Sequence, residues 1–156
     1  MTRASGHYSP PVLFALAEWY YKQGQIDDAL FWLNAAGLRG KFDANICTDT
    51  SARSAIAELS QMMPPDLFRQ QWQDPARIKR IVDQVIDWDA KTPSDYDHRW
   101  ISLHGLKAVN SGLGLSVAPG SLTLPQSAWH DIGEKNRQNY RADMYRYAAG
   151  DRRQTS

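Results

Sequence analysis

The chain has 156 residues, one cysteine and a formal charge of +1, a length that suits one domain able to bury a core without metal or disulfide staples. A lone Cys47 forms no internal disulfide, so nothing points to an oxidising compartment. The near-zero charge excludes the global field that draws chains to nucleic acid or anionic membrane. No stretch approaches the roughly 20 apolar residues of a membrane span, and the N-terminal MTRASGHYSPP lacks the apolar core of a signal peptide. A cytoplasmic protein is expected.

The first element is an antiparallel helix pair over Ser9 to Gly40. Ser9 suits an N-cap and Pro10 a first helical residue, because the amide that proline lacks has no partner in a first turn. Leu13, Leu16, Ala17 and Tyr20 follow at i, i+3, i+4 and i+7, one apolar face. Gly24 can take the left-handed conformation that ends a helix, and Asp27 or Asp28 can cap the next. That second helix carries Ala29, Leu30, Leu33, Ala36 and Leu38 until Gly37 and Gly40 weaken it.

Leu16-Ala17, Tyr20-Tyr21, Gly24, Asp27, Ala29, Trp32 and Ala35-Ala36 resemble the tetratricopeptide and Sel1-like repeats, in which small alanines let two helices approach and a glycine makes the turn. About one repeat is covered and no second copy follows at a fixed period, so the resemblance implies a helical hairpin and no long peptide groove. More loosely, the whole chain resembles small cytoplasmic immunity proteins of bacterial toxin systems. That resemblance implies a protein partner, the cognate toxin.

Lys41 to Thr50 reads as a loop or a short turn, with Cys47 as a small buried hydrophobe. Thr50 or Ser51 caps a helix to about Met63, with Ala52, Ala55, Ile56 and Leu59 on one face, and Pro64-Pro65 stops it. Asp66 to Trp72 makes two further turns. Asp74-Pro75 then starts the cleanest amphipathic helix, with Ile78, Ile81, Val82 and Val85 inward and Lys79, Arg80, Asp83, Gln84 and Asp87 outward. It should end before Thr92-Pro93 and pack on the opening hairpin.

Ser94 to Leu106 concentrates two aspartates, two histidines, Arg99 and Trp100, with Ser94 as the cap of a short helix. Ala108 to Leu124, rich in glycine, reads as a long loop with brief extended pieces around Leu113 to Val117. Pro125 opens a last helix bearing Trp129, Ile132, Tyr140, Met144 and Tyr147, and a disordered tail is expected over 151–156. The expectation is an all-α, compact multi-helix domain of about six helices over residues 1–150.

No cofactor or metal motif stands out. Gly112 to Gly120 lacks the third glycine of a dinucleotide fingerprint. His98 and His104, with Asp95 and Asp97, are the best set for acid/base work, which makes a small hydrolase one alternative. Six residues apart, the two histidines would point about 120° away from one another on a single helix. His130 and Glu134 read as a surface pair.

Recognition is the stronger use of this region. Asp83, Asp87, Asp89, Asp95 and Asp97 against Lys91 give a local balance of −4, whereas the stretch from Lys135 onward carries six basic residues against Asp143 and Asp151. Solvated faces on two amphipathic helices, partly neutralising each other, would account for both runs. Tyr96, Arg99 and Trp100 are residue types enriched at binding hot spots, although Asp95 and Asp97 could instead pair with Arg99 within the domain. The candidate partner surface is therefore Asp83, Asp87, Asp89, Asp95, Tyr96, Asp97, Arg99 and Trp100. The expected function is non-catalytic binding of a toxin or effector, without nucleic acid, membrane, cofactor or metal. An adaptor or chaperone for a secreted effector is the nearest alternative.

Overall fold

The computed structural model describes residues 6–48, 53–104 and 123–150. Among them are six α-helices, α1 (Pro10–Lys22), α2 (Ile26–Ile46), α3 (Ser54–Gln61), α4 (Pro65–Gln73), α5 (Pro75–Lys91) and α6 (Trp129–Ala148), with 3-10 segments at His98–His104 and Gln126–Ala128. No strand occurs among the described residues; Cys47 and Thr123 form one isolated antiparallel bridge. The all-α reading holds. The caps placed at Thr50 or Ser51, the pieces around Leu113 to Val117 and the 151–156 tail lie outside the described residues.

The helix pair forms where the sequence puts it. Pro10 begins α1 after Ser9, whose backbone is extended but whose side chain makes no capping bond. Gly24, at φ +77°, makes the turn, a conformation that would strain any side-chain-bearing residue. Gln25, not an aspartate, holds the N-cap of α2, and Asp27 and Asp28 lie in its first turn, where they complement the helix dipole. The buried face of α1 is Leu13, Phe14, Ala17 and Tyr20. Leu16 is only half-buried at its margin.

The main departure is the length of α2. It runs through Gly37 and Gly40 to Ile46, converting the expected loop from Lys41 into two more turns. Each glycine costs a helix interior about 1 kcal/mol against alanine, and here packing supplies the compensation. A Cβ on Gly37 would sit 3.2 Å from the Tyr140 hydroxyl, and one on Gly40 would sit 2.4 Å from Ile56 Cδ1. These glycines mark close approaches of α6 and α3, not a helix end.

α2 is accordingly the central rod, touched by all the other helices. Phe31, Trp32 and Trp88 meet edge to face with centroids 5.0 to 5.8 Å apart, the arrangement aromatic quadrupoles favour. α5 packs on the hairpin through Ile78, Ile81, Val82, Val85 and Trp88. Its start is the expected one: Asp74 Oδ1 accepts from the Arg77 amide at 3.1 Å. α6 buries Asn136, Tyr140, Met144 and Ala148, a four-residue spacing, whereas Trp129, Ile132 and Tyr147 of the expected stripe are half-buried. Cys47 is buried beside Ala44, Ala55 and Ile101.

A rod buried over most of its surface from Ala29 to Gly40 carries its own polar groups inward, and each must find partners. Asn34 donates to Leu30 O at 2.7 Å and to Gln71 Oε1 at 2.9 Å, and accepts from the Tyr140 hydroxyl at 2.7 Å. Burial pushes the Tyr140 phenol far above its usual range, so it stays a donor. Arg39 and Asp43, four residues apart, lie further along the same helix and organise the other end of the domain.

Candidate functional site

Asp43 is fully buried on α2. Its carboxylate accepts from the Tyr96 hydroxyl at 3.0 and 2.9 Å, from His98 Nδ1 at 2.5 Å and from Trp100 Nε1 at 2.7 Å. The donors stand at alternate positions, so Tyr96, His98 and Trp100 turn inward while Asp95, Asp97 and Arg99 are exposed. Desolvation raises the Asp43 carboxyl above its usual range, and the bonds from His98, Trp100 and Tyr96 oppose that rise. Burial, then the neighbouring carboxylate, raises the Tyr96 phenol well above its own.

The His98 ring is boxed by aromatics: Tyr96 at 4.3 Å between centroids, Trp129 at 5.0 Å and Phe42 at 5.5 Å. Its other nitrogen, Nε2, lies 3.1 Å from the exposed Ser94 hydroxyl. Ser94 therefore does not cap the following turn as expected. Asp97 holds that place, with Oδ1 accepting from the Arg99 amide at 2.9 Å.

Outside, Arg99 grips Asp97 with two parallel bonds of 2.9 Å. The side-chain bonds and then the amide bond from Arg99 pull the Asp97 carboxyl down to about 2. Asp95 pairs with His7 at 2.9 Å, and its amide donates to Gly6 O at 2.7 Å, so the N-terminal turn straps the segment down. A Cβ on Gly6 would come within 2.2 Å of Pro93 O.

The acidic run is divided by the fold. Asp89 accepts from Arg39 Nε at 2.9 Å and Arg137 NH1 at 3.0 Å, joining α2, α5 and α6. Asp83 accepts from Arg141 at 3.1 Å and the Tyr145 hydroxyl at 2.7 Å. Of the three aspartates on α5, Asp87, held by Lys91 one turn on, stays wholly on the outer face. The acidic helix thus lies against the basic one, and two of the five aspartates, Asp83 and Asp89, are paired between them.

Arg39 is buried, stacked 4.2 Å over Trp88, and also donates to Thr92 O at 2.5 Å. Beside it opens a cleft of about 390 Å³ lined by Arg39, Phe42, Ser94, Tyr96, Trp129 and Arg137, among others. A smaller lobe of about 260 Å³ shares Ser94, Tyr96 and Trp129 and adds His98 and Gln126. His130 is exposed on the larger cleft, and Glu134 pairs with Arg137, not with His130. Among the described residues no three His, Cys, Asp or Glu side chains are placed to hold a metal ion, and no helix is long and apolar enough to cross a membrane.

Of the expected site residues, the structure gathers Tyr96 and Trp100 on one buried carboxylate and leaves Asp95, Asp97 and Arg99 beside them on the surface. Asp83 and Asp89 are drawn away to α6. The side chain of His104, the other half of the histidine pair, lies outside the described residues. Asp43, Arg39 and Ser94 were missed. A helix taken to end at Gly40 left Asp43 in a loop, where its spacing to Arg39 carried no meaning.

The chain matches no family model, no curated protein and no solved structure.

Proposed function

We propose that this chain is a protein-binding domain of the immunity type, which neutralises a bacterial toxin or effector in the cytoplasm by covering its active surface. One observation supports the reading most. Tyr96, His98 and Trp100 anchor their segment to Asp43, so Asp95, Asp97 and Arg99 form a charged array on a backbone already fixed. A preorganised surface loses little conformational freedom on docking. Its charges steer association with a basic partner, and the half-exposed edges of Tyr96 and Trp100 supply apolar contact.

The contact set in this reading is Asp87, Asp95, Tyr96, Asp97, Arg99 and Trp100, while Asp83 and Asp89 act within the domain by holding α6. The tetratricopeptide-like α1–α2 pair serves as core and not as a peptide groove. Neutralisation by coverage needs no cofactor and no turnover.

The test is co-expression with the product of the adjacent reading frame. The expected result is rescue of growth and a complex that survives gel filtration, with association slowed when Asp95 and Asp97 are both replaced by lysine. Binding without rescue points to an adaptor or chaperone for that effector. Full toxin activity in the presence of excess folded protein, with no complex, overturns the proposal.

A further inference from the structure

We propose that Ser94 is an activated nucleophile, with His98 as its general base and Asp43 as the group that orients the imidazole, in a cleft that accepts small acyl esters. This goes beyond the binding reading and does not depend on it, because binding uses the outward charges and this site uses the inward network.

The order of the groups carries the argument. A carboxylate only accepts, so the 2.5 Å contact from Asp43 Oδ1 places the proton of His98 on Nδ1. The neutral ring then offers Nε2 as an acceptor, and the group within its reach is the Ser94 hydroxyl at 3.1 Å. Nucleophile, base and orienting acid are thus linked in sequence, the pattern by which serine nucleophiles are recognised on unrelated folds. Burial divides the roles in the same order: Asp43 is 0 % exposed, His98 is 7 % exposed, and Ser94 is open to solvent. The ring cannot swing away, since Tyr96, Phe42 and Trp129 enclose it. Two further donors, Tyr96 and Trp100, fix the carboxylate itself.

The surroundings suit a substrate. Ser94 borders both the cleft of about 390 Å³ and the lobe of about 260 Å³, so a carbonyl at its oxygen has room for an acyl group on one side and an alcohol on the other. Arg39 and Arg137 line the larger space together with their ion-pair partners Asp89 and Glu134, so these four groups leave it without net charge.

Attack of Ser94 Oγ on the ester carbonyl forms the Oγ–C bond as the hydroxyl proton passes to His98 Nε2. Collapse of the tetrahedral adduct breaks the bond to the alcohol oxygen, which leaves with that proton. Water then attacks the acyl-serine with His98 again as base, releasing the carboxylic acid and restoring the hydroxyl.

The experiment treats the full chain with a fluorophosphonate probe and maps the label by peptide mass spectrometry, with p-nitrophenyl acetate turnover measured in parallel. We expect phosphonylation on Ser94 and a burst of nitrophenol, both lost in Ser94→Ala, whose thermal melt is unchanged because the residue is exposed. As a test of the positioning role, Asp43→Asn should lower kcat by about 10²-fold or more with KM unchanged. If that variant does not fold, the Ser94→Ala comparison decides alone. No label on the folded protein, a label on another residue, or undiminished turnover in Ser94→Ala overturns the assignment and leaves the Ser94 hydroxyl as a hydrogen-bond partner of His98. Toxin neutralisation by Ser94→Ala, measured separately, keeps this outcome distinct from that of the binding proposal.

Discussion

Arg39 and Asp43 stand one turn apart on α2, and between them they tie down the end of α5 and the chain that leaves it. Arg39 holds Asp89 and the Thr92 carbonyl; Asp43 holds Tyr96, His98 and Trp100. The 92–100 segment is therefore fixed to the central helix at two places.

Asp43→Ala should be the most damaging single polar substitution at this end of the domain. It strands three buried or half-buried donors at once, and breaking a buried ionic group typically costs about 3–5 kcal/mol. Equilibrium urea unfolding measures this. A loss below ~1 kcal/mol would show that solvent reaches the stranded donors.

The two candidate faces of α1 separate cleanly. Phe14, 2 % exposed, should cost about 3–5 kcal/mol when cut to alanine, through lost burial and the cavity left behind. Leu16→Asp places its charge at a half-exposed margin where water can reach it. It should cost clearly less than the ~3 kcal/mol expected of a charge buried without a partner. Chemical denaturation of both variants checks the order, and the reverse order would reassign the face.

Charge reversal should split the acidic run by location. Asp89→Lys sets a cation between Arg39 and Arg137 and should lower the melting temperature of the isolated domain. Asp95→Lys with Asp97→Lys should lower the melt only slightly, by the ~1 kcal/mol of a lost cap at Asp97 and the ~0–1 kcal/mol of exposed pairs, yet slow association with a basic partner and flatten its salt dependence. Stopped-flow association at two ionic strengths reads the second effect. An unaltered rate would place the interface elsewhere.

Acid titration gives a local probe of the same surface. Arg99 holds the Asp97 carboxyl at about 2, below the ~3.9 of an unfolded aspartate. The sign follows: this pair favours the folded state above the unfolded value, and that contribution fades as pH falls through the folded one. Carbon-detected NMR should find the Asp97 midpoint near the lower value and find it raised in Arg99→Gln. An unchanged midpoint in that variant would mean the pair does not persist in solution.

His98→Ala should lower the stability of the fold as well as any activity. It removes a buried donor to Asp43 and the ring between Tyr96 and Trp129, so activity comparisons need its melting curve beside them. A melt identical to that of the parent would show that Tyr96 and Trp100 hold Asp43 without it.

Sequence by itself determined what depends on neighbours along the chain. Proline at Pro10 and Pro75, the cap at Asp74, the turn at Gly24 and the 3.6-residue period of Ile78, Ile81, Val82 and Val85 act over one or two turns, so their meaning is local and readable. The helix count and the hairpin followed from them. Tertiary structure decided everything that depends on what approaches from far away. Gly37 and Gly40 look like helix ends until Tyr140 and Ile56 come to lie against them. Asp43 looks like a loop residue until a segment 55 positions later brings His98 to it. The acidic run looks like a free ridge until α6 folds over Asp83 and Asp89. A glycine's cost and a carboxylate's pairing are settled by contacts across the fold, and those contacts exist only once the helices have packed.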